Sequence, residues 1–211
     1  MSDPIPTVFV VDDDPSIRQS LSLLLSSAGY GAYTFASAKE FLESKQDIRG
    51  AACIVSDIKM PGLSGLDLQE ELASGDYAMP IIFITGHGDI PTTVQAMKKG
   101  AIEFLPKPFD DNELLDAVKE ALLKDSQARV DLNEQKHIMQ RLGYLTTREH
   151  EILTYLITGM LNKQIAYELN IAERTVKAHR KHVMDKMGVD SIAQLVRLTE
   201  KIGVKPADVS F

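Results

Sequence analysis

The chain predicts two folds in succession: an α/β doubly wound layer of five parallel strands over residues 1–124, and an all-α helix-turn-helix domain over 145–211. Three observations lead there. Short apolar runs alternate with helix-period segments five times in the first part, the signature of a parallel sheet covered by helices on both faces. Runs such as "CIVS" and "IIFI" are apolar throughout, as strands buried on both faces must be. After Leu145 every segment has helical periodicity, and no strand pattern returns.

Strands are expected over 7–11 (TVFVV), 31–35 (GAYTF), 51–56 (AACIVS), 80–85 (PIIFIT) and 101–105 (AIEFL), and helices over 15–28, 37–46, 64–74, 91–99 and 110–124. Residues 125–144 read as a helical linker, able to continue the helix that begins near Asp110. Its apolar positions, Leu115, Val118, Leu122, Leu132 and Met139, approach a heptad. Asp125, Arg129 and Lys136 interrupt that seam, which favours a solvated spacer over a dimerising coiled coil. The second domain then holds four helices. Thr147 is the expected cap of the first and Gly159 its stop; "NKQIAYEL" and "ERTVKAHRKHVMDKMG" follow. Ser191 and Gly203 bound the last.

Composition narrows the function. Apolar residues are 44% and charged residues 25%, ordinary for a globular protein. No apolar run approaches the ~20 residues of a membrane span, and the N-terminus lacks a secretion signal. The single cysteine, Cys53, allows no internal disulfide. A cytoplasmic protein without a membrane partner is expected. The net charge of −7 is uneven: residues 1–124 carry 10 Lys and Arg against 19 Asp and Glu, residues 125–211 carry 13 against 11. The stretch 174–186 is locally basic, with five Lys or Arg and one acid. An acidic half joined to a half with a basic helix points to two tasks.

In an open parallel sheet, ligands collect beyond the carboxyl ends of the strands. Here the first strand ends in Asp12 and Asp13, the third in Asp57, the fourth in Thr85, and Lys107 follows the fifth. Three clustered carboxylates repel unless a cation neutralises them, and hard oxygen donors with open positions suit Mg²⁺. A carboxylate beside such a cation can attack a phosphoryl group, whose oxygens an ammonium and a hydroxyl would hold. Asp14 precedes Pro15, so it is expected to cap the first helix rather than join the cluster.

"VVDD", "SDIKMPGLSGLD", "FITGHGD" and "FLPKPF" resemble the receiver domain of two-component response regulators, which has a flavodoxin-like fold. The resemblance covers residues 7–124. It implies that Asp57 is the phosphoacceptor and that Asp13 and Asp57 ligate Mg²⁺, for which Mn²⁺ is expected to substitute. Asp12 would act through water, and the Lys59 backbone carbonyl would complete the protein ligands. Lys107, preceding a cis Pro108, and Thr85 would contact the phosphoryl group, and Phe104 would hold the aromatic switch position, without the hydroxyl of the Tyr found in many relatives. Haloacid-dehalogenase phosphatases also use an Asp after a parallel strand, but they place a second acid where this chain has Lys59. No enzymatic turnover is therefore expected beyond Mg²⁺-dependent self-phosphorylation and slow dephosphorylation. Lys59 and His87, flanking the crevice, are expected to tune the lifetime of the phosphoryl group.

"KQIAYELNIAERTVKAHRKHV" fits a helix-turn-helix. Ile165, Ala166 and Leu169 form an inner face, Asn170 suits a left-handed turn, Ile171 plugs it, and Val176 and Val183 seat the second helix. Arg174, Lys177, Arg180 and Lys181 remain for a major groove, with Lys163 and Thr175 placed to meet phosphates. A metal role for His179 is disfavoured, since His182 lies three residues along and no third ligand is near in sequence.

The segment from Leu145 to about Thr199 resembles the DNA-binding domain of LuxR-type regulators. By that resemblance Lys177, Ala178, His179 and Lys181 face bases or phosphates. Ile192, Leu195, Val196 and Leu198 join two subunits on DNA. The combined arrangement resembles the NarL/FixJ family, leaning to its FixJ-like branch. It implies a sensor histidine kinase, promoter DNA and RNA polymerase as partners, and a homodimer when phosphorylated or on DNA. The rival expectation is a phosphorylation-independent DNA-binding regulator whose receiver serves as a dimer scaffold.

Overall fold

The computed structural model describes residues 4–44, 50–74, 78–86 and 90–208. Two compact units divide the chain, 1–129 and 130–211.

In the first unit the strands are β1 (Thr7–Val11), β2 (Gly31–Phe35), β3 (Ala52–Asp57), β4 (Ile81–Thr85) and β5 (Glu103–Pro106). They form one parallel sheet in the order β2-β1-β3-β4-β5. Chain order reverses between β1 and β3, so the strand ends Val11 and Asp57 flank the point where a crevice opens. Side chains alternate across the sheet. Val8, Val10, Val55, Ile82, Ile84 and Leu105 build one core with Leu21 and Leu25 of α1 (Pro15–Ser27) and with Leu114, Val118 and Leu122. Phe9, Val11, Ile54 and Phe83 build the other, under α2 (Ala38–Glu43), α3 (Gly65–Ala73) and α4 (Ile90–Lys98). The expected extension of the second helix to residue 46 falls partly outside the described residues.

The fifth strand starts two residues later than its apolar run suggests. Ala101 still donates to Ala96 of α4, and Ile102 is the first to donate to β4, at Ile81.

The helix α5 (Asp111–Gly143) is continuous for 33 residues. Its stretch 125–144 is largely exposed, with Asp125 and Ile138 buried, and the positions that approach a heptad do not form one seam. Val118 and Leu122 belong to the sheet core, Ile138 to the core of the second unit, and Leu123, Val130 and Met139 are exposed. Asp125, read as an interruption, is fully buried: Oδ2 accepts from Ala52 N at 2.9 Å and from Arg129 Nε at 2.6 Å. That carboxylate satisfies a backbone donor at the start of β3.

The second unit contains α6 (Thr147–Leu156), α7 (Asn162–Glu168), α8 (Glu173–Met187) and α9 (Ile192–Lys201) around a core of Ile152, Leu153, Leu156, Ile165, Val176 and Val183. The cap of α6 is Thr146, not Thr147. Its hydroxyl accepts from Glu149 N while Glu149 accepts from Thr146 N, a capping box that only the residue three before a glutamate can close. Asn170 takes φ 49, the left-handed turn expected between α7 and α8, and Gly188 ends α8 with φ 65. Leu195 is completely buried in this domain's own core, so it cannot serve the expected face between subunits; Val196 is half-buried.

Candidate functional site

At the carboxyl ends of β1 and β3, carboxylate oxygens of Asp12, Asp13 and Asp57 lie within 4.8 Å of one another. Asp12 is fully buried and Asp57 nearly so, while Asp13 is exposed at the mouth. Residues separated by up to 45 positions thus share one crevice because their strands are neighbours in the sheet.

Lys107 closes the set. Its ammonium donates to Asp12 Oδ2 at 2.7 Å and stands 3.7 Å from Asp57 Oδ2. The backbone holds it there: Lys107 N donates to Thr85 O at 2.7 Å, and the Lys107–Pro108 bond is cis. Asp12 Oδ1 accepts from Asp14 N, and its carbonyl accepts from the Arg18 guanidinium at 2.6 Å. Asp14 turns away and caps α1, accepting from Ser16 N at 2.8 Å, which also lowers its pKa. The division of the three acids into two crevice residues and one cap matches the expectation.

Burial pushes the Asp57 pKa up, and the Asp12 charge adds to the rise; Lys107 and the Ile58 N–H, 2.8 Å from Oδ1, oppose it. A carboxylate in that position gains from an arriving cation. The donor set of three carboxylates at an open crevice fits a hard divalent ion. Thr85 is buried at the end of β4, the strand next to β3, and Phe104 stands one strand further out, half-buried opposite Phe83 in the β4–β5 register. Lys59 is exposed after Asp57; His87 lies outside the described residues.

One participant was not singled out from the sequence. Gly65 begins α3 and its N–H donates to Ile58 O at 3.0 Å. A Cβ on it would lie 2.4 Å from the Asp57 carbonyl oxygen, so only glycine lets α3 start against the loop carrying Asp57. The signal available was the "PGLSG" turn, which gives no hint of what it approaches.

On α8, the residues Arg174, Lys177, Ala178 and Lys181 are exposed at i, i+3, i+4 and i+7, one continuous stripe. Lys163 is exposed at the start of α7, and Thr175 is partly buried in the first turn of α8. Two expected contacts are placed differently. Arg180 donates to Asn162 Oδ1 at 3.1 Å, tying α8 to α7. His179 is partly buried, its Nδ1 enclosed without a hydrogen-bond partner. Glu149, buried under the helix, accepts from Lys186 Nζ at 2.6 Å, and that bond holds its pKa down at about 2.

A parallel sheet with acids at its switch point, followed by a four-helix domain with a basic exposed stripe, defines a phosphoacceptor module joined to a DNA reader. Residues 8–119 match the family "Response regulator receiver domain" and residues 143–199 match "Bacterial regulatory proteins, luxR family". Nodulation protein W of Bradyrhizobium diazoefficiens is 48% identical over 198 residues, 93% of this chain and 86% of that protein. The transcriptional regulatory protein FixJ of Azorhizobium caulinodans is 43% identical over 202 residues, 95% of each chain. The solved structure of the response regulator StyR, 50% identical, superposes with a TM-score of 0.81 over 94% of this chain and all of that one. The chain belongs to the FixJ-like response regulators, which join a receiver to a LuxR-type DNA-binding domain. Its class implies a histidine kinase and DNA as partners. Among the described residues no helix is long and apolar enough to cross a membrane.

Proposed function

We propose that Asp57 is the phosphoacceptor of this response regulator and that its phosphorylation raises the affinity of α8 for promoter DNA. The observation that carries the reading is the Asp12–Asp13–Asp57 cluster with Lys107 bridging two of its members. Asp13 and Asp57 would hold Mg²⁺, or Mn²⁺ in its place, with Asp12 acting through water and the Lys59 carbonyl as a further donor. The ion supplies charge neutralisation for a phosphoryl group. Of the chain's own groups, an Asp57 carboxylate oxygen attacks phosphorus as the bond to the donor breaks, releasing the kinase histidine, or acetate when acetyl phosphate is the donor; the Lys107 ammonium exchanges Asp12 for a phosphoryl oxygen, and the Thr85 hydroxyl approaches another. Phe104 follows Thr85, because they stand on the neighbouring strands β5 and β4. The missing second acid, where Lys59 stands, leaves only slow autodephosphorylation, so the protein is a switch and not an enzyme.

Arg174, Lys177, Ala178 and Lys181 face the major groove, and Lys163 and Thr175 meet phosphates. The protein acts in the cytoplasm, dimerises when phosphorylated or on DNA, and presents itself to RNA polymerase. Incubation with acetyl phosphate and Mg²⁺ should add the mass of about one phosphoryl group to the wild type and none to Asp57→Asn. Full labelling of that variant would move the acceptor elsewhere and refute the assignment.

A further inference from the structure

The basic helix has an inner side that its DNA-reading role does not use. His179 and His182 lie three residues apart on α8, their ring centroids 6.4 Å apart and nearly perpendicular. Below them, α6 presents Glu149. The ligating atoms of Glu149, His179 and His182 all lie within 4.8 Å of one another, among the described residues the one such group besides the phosphoacceptor crevice. A third ligand that is remote in sequence is therefore near in space, and the objection to a metal role for His179 falls.

The donors differ in kind from those of the crevice. Two imidazoles and one carboxylate, with open positions, suit a borderline transition ion, whereas three carboxylates suit a hard one. Each donor is held in position. Glu149 Oε2 carries Lys186 Nζ and the Thr146 N–H and hydroxyl, which fixes the carboxylate and leaves Oε1 toward His182 Nδ1, 3.6 Å away. Lys186 also keeps Glu149 ionised, as a ligand must be. His179 Nδ1 is enclosed with no hydrogen-bond partner, an unsatisfied polar atom of the sort an ion or water would complete.

We propose that Glu149, His179 and His182 form a binding site for a transition-metal ion of the Zn²⁺ class. The ion would be held between α6 and α8, with Glu149 from the first and the two histidines from the second. The Lys186 ammonium opposes the ion's charge, so binding is reversible rather than structural.

The test uses the full chain with millimolar Mg²⁺ present to occupy the acidic crevice. Zn²⁺ is titrated by calorimetry into the wild type, His182→Ala and, as a control outside the cluster, His150→Ala. His182 is largely exposed, so its replacement leaves the fold intact, which circular dichroism checks. The wild type and His150→Ala should bind one Zn²⁺ equally. His182→Ala should bind it ~10- to 100-fold more weakly. Co²⁺ in place of Zn²⁺ should give visible absorption bands that His182→Ala lacks. Equal Zn²⁺ affinity in wild type and His182→Ala, or no binding by the wild type, would overturn the site.

Discussion

Gly65→Ala should damage the receiver out of proportion to one methyl group. The added Cβ would meet the Asp57 carbonyl oxygen at 2.4 Å, Phe83 Cε1 at 3.0 Å and Ile58 Cα at 3.1 Å. Two of the three are backbone atoms of the β3–α3 connection and cannot rotate aside. Either α3 retreats from the sheet or the loop carrying Asp57 shifts. Overpacking a dense site costs ~1–3 kcal/mol, and the absence of a flexible neighbour argues for the upper end, about 3 kcal/mol. For a unit of this size that corresponds to a fall of roughly 10 °C in the melting temperature of the receiver. Because the displaced segment bears Asp57, labelling by acetyl phosphate should slow as well. Circular dichroism without Mg²⁺ measures the first effect, and mass spectrometry over time the second. Gly86→Ala is the control, since its Cβ would meet nothing within 4 Å and the change should stay within ~0.5 kcal/mol. Melting and labelling of Gly65→Ala at wild-type values would refute the packing argument.

Asp125→Ala would strip a buried N–H, that of Ala52, of its acceptor and leave Arg129 without this partner. A loss of about 2–4 kcal/mol is expected in urea unfolding. Glu149 has a folded pKa near 2 against an ordinary 4.5, so its stabilising pair is complete above pH 4.5 and is lost as pH falls toward 2. Glu149→Gln should therefore unfold at lower urea than wild type at pH 7, and the gap should close between pH 4.5 and 2. A gap that stays constant with pH would contradict this. Lys177→Ala should weaken promoter binding and reduce the slope of log affinity against log salt by ~0.9, the release of one counterion; an unchanged slope would remove Lys177 from the phosphates.

The sheet was legible because its central strands β3 and β4 are buried on both faces, which leaves runs such as "IIFIT" unmistakable, and because Asp12, Asp57 and Lys107 sit at strand ends that parallel topology must bring together. β5 was misjudged at its start because Ala101 and Ile102 are apolar for the sake of the core, not for strand pairing. The α6 cap was misplaced by one residue between adjacent threonines, although the glutamate three beyond Thr146 distinguishes them. Asp125 looked like a break in a seam, because nothing local reveals the backbone donor 73 residues away that it satisfies. His179 and Glu149 likewise meet only through the packing of α6 on α8.

The central claim is that charge at Asp57 sets DNA affinity. Affinity for a promoter duplex, measured at one salt concentration before and after acetyl phosphate treatment, tests it most directly. The account predicts a gain of ~5- to 150-fold for the wild type, the span of ~1–3 kcal/mol of coupling, and none for Asp57→Asn. Equal affinity of phosphorylated and unphosphorylated wild type would contradict it and favour a regulator that uses its receiver only as a scaffold.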